Sequence, residues 1–278
     1  MTRFERPESV AEAARLLALG EWALLAGGTD LYPAHVGRPI AKPVLDLGAI
    51  ASLRGIGEDA RAWILGATTT WTDVVRADLP PLFDGLKAAA REVGGVQIQN
   101  VGTVAGNLCN ASPAADGAPA LMALDATVVL ASVRGERELS VERFVQGPRR
   151  TARAADELVV AVRVPKRGAR ARAAFLKLGG RRYLTISMTM VAVVVDVDDA
   201  GRVVFAGAAV GSCAATARRL PALEARLVGA RLDDGVAALV ESGDLAPLAP
   251  IDDLRASAGY RRDATLVLLR RALARLAA

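Results

Sequence analysis

Short apolar runs follow one another from the amino terminus to Pro165, with polar residues and glycines between them. Residues 9–19 carry apolar side chains at helical spacing, and Gly20 ends that pattern. The runs typical of strands are at residues 22–25, 44–47, 62–66, 126–133 and 158–164, with helical stretches at residues 72–77 and 82–93. This alternation of strands and helices favours an α/β architecture.

The pattern changes after the basic segment 166–170. Residues 188–197 and 202–210 are two long apolar runs, joined by the turn residues Asp198-Asp199-Ala200-Gly201. This arrangement is typical of a β-hairpin. Helices are predicted at residues 220–228 and from Arg261 onward. We therefore expect a smaller α+β domain with an antiparallel sheet and helices over residues 172–278.

The first of two glycine-rich segments is Leu25-Ala26-Gly27-Gly28-Thr29-Asp30-Leu31, directly after a predicted strand. Paired glycines let a backbone turn with positive φ and aim consecutive N–H groups into one concavity. A diphosphate needs such a nest, with little side-chain bulk around it. The same residues also suit an ordinary turn, so this segment alone leaves both interpretations open.

The second segment runs from Gly94 to Leu108 and continues as Cys109-Asn110-Ala111-Ser112-Pro113-Ala114-Ala115-Asp116. It is too polar for a core, and we expect a long, ordered, irregular loop, which is usually functional. Its groups are backbone donors, amides, hydroxyls and one acid, Asp116, at the start of the next helix. These groups suit a ligand with phosphates, a polyol and a heteroaromatic ring. They do not suit acyl or glycosyl transfer.

These segments resemble a known family. The Ala26–Asp30 loop and the Gln97–Asn107 segment, extended to Asp116, are similar to those of the FAD-binding subunits of molybdenum hydroxylases. That family includes the medium subunit of aerobic carbon monoxide dehydrogenase and the flavin domain of xanthine dehydrogenase. The resemblance covers the whole chain, including Phe175–Arg182. It implies two small α/β subdomains that hold FAD within residues 1–168, followed by the α+β domain.

The resemblance also implies roles for individual residues. The FAD diphosphate is expected at Leu24, Leu25, Ala26, Gly27, Gly28, Thr29, Asp30 and Leu31, with Thr103, Val104, Ala105, Gly106 and Asn107. Asn110, Ser112 and Asp116 are expected around the ribityl chain, and Val93, Val159 and Lys177 near the flavin ring. The family often has two glycines where this chain has Ala105-Gly106, and an alanine there requires a negative φ.

Composition excludes several other classes. The formal net charge of +5 comes from arginines scattered among acidic residues, without the aromatic stripe that nucleic-acid binding favours. Every apolar run is shorter than the ~18 residues that a membrane span requires. No apolar segment typical of a signal peptide follows Met1. We therefore expect a cytoplasmic protein.

Three isolated features are poor candidates for chemistry. His35 is the only histidine, so a histidine metal site or catalytic triad lacks partners. Cys109 has no histidine to activate it and suits a packing role. The segment Gly55–Ala60 fits a loose dinucleotide motif, but a strand instead of a helix is predicted after it.

The implied function is that of an electron-transfer subunit with one non-covalent FAD. Two cysteines cannot bind a common iron–sulfur cluster, which needs four thiolates. The iron–sulfur clusters and the molybdenum cofactor are therefore expected on partner subunits, a small iron–sulfur chain and a large molybdenum chain. The terminal acceptor stays open. A stand-alone FAD-dependent oxidase or reductase and a non-catalytic flavin-binding module are the alternatives.

Overall fold

The computed structural model describes residues 3–278. In chain order, the part up to residue 66 forms β1 (Phe4–Glu5), α1 (Val10–Ala18), β2 (Ala23–Leu25), β3 (Val44–Asp46), β4 (Ile56–Glu58) and β5 (Ala62–Gly66). Ser9 caps α1, because its hydroxyl accepts a hydrogen bond from the Glu12 N–H. The strands β1 and β2 both pair with β3 in parallel, which gives a three-stranded sheet.

The next part begins with five helices, continues with the remaining strands of a second sheet, and has a sixth helix between two of them. Its elements are α2 (Trp71–Arg76), α3 (Asp84–Glu92), α4 (Val96–Val101), α5 (Val104–Asn110), α6 (Gly117–Ala123), β6 (Thr127–Ser132), β7 (Gly135–Ser140), α7 (Val141–Phe144), β8 (Val145–Gly147), β9 (Arg150–Thr151) and β10 (Leu158–Pro165). The second sheet has the order β4-β5-β10-β6-β7 with antiparallel pairing throughout, and β8 and β9 form a separate hairpin.

The remaining residues form the predicted α+β part. It contains β11 (Arg172–Gly179), β12 (Ser187–Val197), β13 (Val203–Gly211), β14 (Arg218–Arg219), α8 (Pro221–Leu227) and α9 (Ala258–Ala277), with the four strands in one antiparallel sheet in chain order. The predicted β12–β13 hairpin is present. Asp198 holds its turn, since its carboxylate accepts hydrogen bonds from the N–H groups of Ala200 and Arg202.

The position of strand β12 between two cores explains why its sequence is apolar without alternation. Both of its faces are buried, each in a different hydrophobic core. Met190, Ala192 and Val194 pack into the core of the preceding subdomains, and Val191, Val193 and Val195 pack into the core beneath α8 and α9. Gly207 on β13 lies so close to the Ala123 carbonyl of α6 that a side chain there would overlap it. The C-terminal sheet is therefore packed directly onto the preceding part of the chain.

The segment 94–108 differs from its prediction. We expected a long irregular loop, but most of it is helical, in α4 and α5. The two helices are short, and Gly102 separates them with an extended backbone. Thr103 then caps α5, because its hydroxyl accepts a hydrogen bond from the Gly106 N–H. Helices of six and seven residues are too short to give a clear apolar periodicity, which explains the error.

Within residues 3–278, no helix combines the length and the apolar character that crossing a bilayer would require.

Candidate functional site

A cleft of about 970 Å³ lies where the two glycine-rich segments meet. The sequence-predicted site residues in its wall are Leu24, Ala26, Gly27, Gly28, Thr29, Asp30, Leu31, Val93, Thr103, Ala105, Gly106, Asn107, Asn110, Ser112, Asp116 and Val159. Three others do not line it: Leu25 and Val104 are buried beneath the wall, and Lys177 lies behind Asp116. Segments far apart in sequence thus contribute to one concave surface.

Residues Gly27–Leu31 of the first glycine-rich segment are called the glycine loop below. Gly27 packs against the backbone between α4 and α5, and a Cβ at this position would overlap the Val101 carbonyl oxygen. Gly28 has a φ of 71°, a left-handed conformation that favours glycine. A Cβ at Gly28 would lie 2.5 Å from the Tyr32 ring. Both glycines are therefore required by the shape of the loop.

The backbone donors of the glycine loop are available for a ligand. Among residues 3–278, no acceptor receives a hydrogen bond from the N–H groups of Gly27–Leu31. These residues are half-buried or exposed, so the five consecutive donors are open to a ligand. A loop of unpaired N–H groups in a cleft wall suits an anion such as a diphosphate.

The first turn of α5 supplies a further donor. The N–H of Val104 donates to the Thr69 carbonyl oxygen at 2.9 Å, and the N–H of Gly106 donates to Thr103 Oγ1 at 3.0 Å. The N–H of Ala105, between them, has no acceptor within the described chain. Position 105 is helical, so the alanine is accommodated without strain where the family often has glycine.

The side-chain amides of Asn107 and Asn110, both on α5, differ in their hydrogen bonding. Asn107 Oδ1 is buried and has no hydrogen-bond donor in the described residues. Such an orphaned acceptor in a cleft wall requires a donor, for which a hydroxyl or ring N–H of a ligand is suitable. Asn110 is already engaged, since its Nδ2 donates to Asp30 Oδ1 at 2.8 Å and ties α5 to the glycine loop.

Burial raises the pKa of Asp30, and the positive charge of Arg149 opposes that effect. Asp30 and Arg149 both line the cleft, so a carboxyl group and a guanidinium cation belong to the same wall.

Asp116 connects the cleft to the C-terminal part. Lys177 Nζ on β11 lies 2.9 Å from Asp116 Oδ2, and the two side chains are only 6% and 9% exposed. Ser187 donates to the other carboxylate oxygen at 3.2 Å. Burial raises the pKa of Asp116 to about 6, although the ammonium of Lys177 opposes the shift. The carboxylate is therefore held in place by two residues of the other sheet.

This raised pKa predicts a specific pH dependence. The pKa of Asp116 lies above its ordinary value of 3.8, so the folded state binds this proton more tightly than the unfolded chain. Its contribution to stability is therefore present at low pH and is lost as the pH rises from about 4 through about 6. Relative to Asp116→Asn, the free energy of unfolding of the unchanged protein should fall by roughly 2 kcal/mol between pH 4 and pH 7. Urea unfolding of both proteins across this range measures the difference, and a constant difference would contradict the assignment.

Sequence reasoning missed the hairpin β8–β9 as part of the site. It brings Arg149, Thr151 and Arg153 into the cleft wall. Arginines are frequent in this chain, so neither arginine stood out from the sequence. Arg181 and Arg182, which follow β11, are exposed and do not line the cleft.

The isolated features behave as poor candidates for chemistry. Burial raises the pKa of the Cys109 thiol to about 11, so it is not a nucleophile at neutral pH. His35 Nδ1 lies 2.8 Å from the Leu31 carbonyl oxygen. A strand, β5, follows Gly55–Ala60, as we expected for a segment that is not a dinucleotide loop. Among the residues that the structure describes, no group of three or more His, Cys, Asp or Glu side chains is placed to hold a metal ion.

The chemistry of the cleft fits a flavin dinucleotide. The unpaired N–H groups of the glycine loop suit its diphosphate, and the unpaired Asn107 Oδ1 suits a donor on its polyol or ring. Apolar side chains of Val93, Ile98 and Val159 in the same wall suit a planar heteroaromatic ring.

Comparisons with known proteins agree with this fit. Residues 1–167 match the family of the FAD binding domain in molybdopterin dehydrogenase, and residues 173–276 match that of the CO dehydrogenase flavoprotein C-terminal domain. The chain is 36% identical over 220 residues to the nicotinate dehydrogenase FAD-subunit of Eubacterium barkeri, covering 76% of this chain and 73% of the relative. It is 33% identical over 281 residues to the carbon monoxide dehydrogenase medium chain of Afipia carboxidovorans, covering 98% and 95%.

A solved structure shows the same fold. The reconstituted CO dehydrogenase from Oligotropha carboxidovorans contains a chain that superposes with a TM-score of 0.87 at 29% identity, covering 100% of this chain and 98% of that one. The resemblance and the fold class expected from the sequence are thereby confirmed. The chain belongs to the family of FAD-binding flavoprotein subunits of molybdenum hydroxylases, which are oxidoreductases, and its cofactor is FAD.

Proposed function

We propose that this protein is the electron-transfer subunit of a molybdenum hydroxylase complex. It takes electrons from iron–sulfur clusters of a partner subunit and passes them to a terminal acceptor. The observation that carries the proposal is the cleft with unpaired N–H groups on the glycine loop, in a chain whose family holds FAD. FAD supplies the redox chemistry when bound, since it exchanges electrons singly or in pairs.

Binding of the diphosphate is assigned to two backbone segments, the glycine loop and the first turn of α5. Their free N–H groups, including that of Ala105, attract negative charge without bulky side chains. Leu24, Leu25 and Val104 support these segments from beneath or beside them. Asn107 is assigned to orient the ligand, because its buried Oδ1 has no hydrogen-bond donor among the described residues.

The flavin ring is proposed to lie beside Val93 and Val159, with Ser112 and Asp116 nearby. Lys177 does not line the cleft, so its ammonium would influence the ring only indirectly, by holding the Asp116 carboxylate in place. Residues 1–168 form the FAD-binding part of the protein in this proposal, and residues 172–278 brace it through Lys177 and Ser187.

The partners are proposed to be a small iron–sulfur chain and a large chain with the molybdenum cofactor, in a cytoplasmic complex. Relatives named as an FAD-subunit of nicotinate dehydrogenase and a medium chain of carbon monoxide dehydrogenase support a multi-subunit assembly. A carbon monoxide dehydrogenase that is 30% identical in this subunit is described as a Cu,Mo enzyme.

Co-expression with the neighbouring genes tests the proposal. We expect co-elution in gel filtration with chains that contain iron and molybdenum. The substrate of the complex should bleach the flavin absorbance at 450 nm only when all subunits are present. Turnover of an organic substrate by the isolated chain would favour a stand-alone oxidase instead. A flavin that no partner reduces would favour a non-catalytic binding module.

A further inference from the structure

The turn of the hairpin β8–β9 places Arg149 in the cleft wall. Gly147 pairs with Arg150 across this hairpin, so Pro148 and Arg149 form its two-residue turn. The N–H of Arg149 donates to the Ala111 carbonyl oxygen at 3.1 Å, which fixes the turn to the end of α5. The backbone position of Arg149 relative to the second glycine-rich segment is therefore well defined.

The backbone of Arg149 is strained. Its φ is 56°, in the left-handed region that favours glycine or asparagine over a bulky side chain. Glycine would adopt this conformation without steric strain. Strained residues of this kind concentrate at ligand sites, where the side chain has a role that offsets the strain.

The guanidinium of Arg149 is uncommitted. Within residues 3–278 it forms no hydrogen bond, ion pair or ring contact. Arg153, the other arginine in the wall, donates to the Glu157 carbonyl oxygen at 2.6 Å and to two further carbonyl oxygens. Arg149 is thus the arginine of the wall whose donors are free for a ligand.

Arg149 interacts electrostatically with Asp30 of the glycine loop. Its positive charge reaches Asp30 strongly enough to oppose the rise in the pKa of that carboxyl, although no ion pair joins the two residues. Asp30 belongs to the loop whose N–H groups are free. A planar guanidinium presents paired donors that match a phosphate, and such hydrogen bonds are among the strongest in proteins.

We propose that Arg149 binds a phosphate of the dinucleotide held by the glycine loop. This inference rests on the proposed FAD site and adds to it a full positive charge, where the loop offers only backbone dipoles.

Replacement by glycine separates binding from folding. Arg149→Gly removes the guanidinium and relieves the backbone strain at the same position. We expect the apoprotein of this variant to bind FAD at least about 10-fold more weakly, the size of one lost charge-assisted hydrogen bond. Its melting temperature without FAD should equal or exceed that of the unchanged protein. Arg149→Lys should retain part of the affinity, because it keeps the charge.

Arg150→Gly is the matched control, since Arg150 is the next residue, carries the same charge and does not line the cleft. Its affinity for FAD should stay within about twofold of the unchanged protein. Titration of each apoprotein with FAD, followed by protein fluorescence, gives the affinities. Equal affinity in Arg149→Gly, an equal loss in Arg150→Gly, or a lower melting temperature of apo Arg149→Gly would overturn the inference. Failure of the unchanged protein to bind FAD would instead remove the proposed function.

Discussion

The variant Gly27→Ala is expected to bind FAD at least about 100-fold more weakly than the unchanged protein. The added Cβ would overlap the Val101 carbonyl oxygen and lie 2.7 Å from the Val101 carbonyl carbon. Both atoms belong to the backbone and cannot turn aside as a side chain can. The glycine loop must therefore move away from the junction of α4 and α5, which displaces its free N–H groups from the first turn of α5.

Overpacking at this position also reduces stability, by about 1–3 kcal/mol. Gly20→Ala is the matched control, because a Cβ at Gly20 would meet no atom within 4 Å. Flavin content after purification and urea unfolding of the apoproteins measure the two effects. If Gly27→Ala retains FAD as well as Gly20→Ala does, the glycine loop is not the binding element.

The variant Lys177→Met is expected to lose about 3 kcal/mol of stability. It leaves the Asp116 carboxylate buried without its cation, and the Ser187 hydroxyl alone cannot compensate for the lost charge. The pKa of Asp116 should rise further above about 6, since the attraction that lowers it is removed. The double variant Asp116→Asn/Lys177→Met should be less destabilised than the sum of the two single variants.

A surface pair provides the control for this cycle. Lys42 lies 2.7 Å from Glu21, and their side chains are 59% and 74% exposed. Lys42→Met should change the free energy of unfolding by less than about 1 kcal/mol, because an exposed pair is well solvated when broken. Urea denaturation at pH 7 measures all four variants. Strict additivity of the Asp116 and Lys177 substitutions would show that the two residues do not act as a pair.

The strands and long helices could be predicted because their patterns are local. The β12–β13 hairpin follows from two apolar runs around Asp198–Gly201, and α1 follows from its apolar spacing and from Ser9. The helices α4 and α5 could not be predicted in this way. They are held by contacts with other segments, such as the hydrogen bond from Val104 to Thr69.

Only those parts of the site whose role follows from residue type, such as glycines and helix-capping residues, could be predicted from the sequence. Residue type alone indicates hydrogen-bond donors and acceptors in the glycine loop and at Thr103 and Asn107. The bond between Lys177 and Asp116 joins residues 61 positions apart, and no local pattern reports it. Arg149 was missed because its significance lies in a positive φ and a free guanidinium, which are properties of the folded chain.

The most direct test of the central claim is the flavin stoichiometry of the purified chain. The protein is loaded with excess FAD, passed through gel filtration and denatured with acid, and the released flavin is identified by chromatography and quantified against protein. We expect one FAD per chain, released without covalent attachment. Release of FMN, or of no flavin from a folded and reconstituted sample, would contradict it.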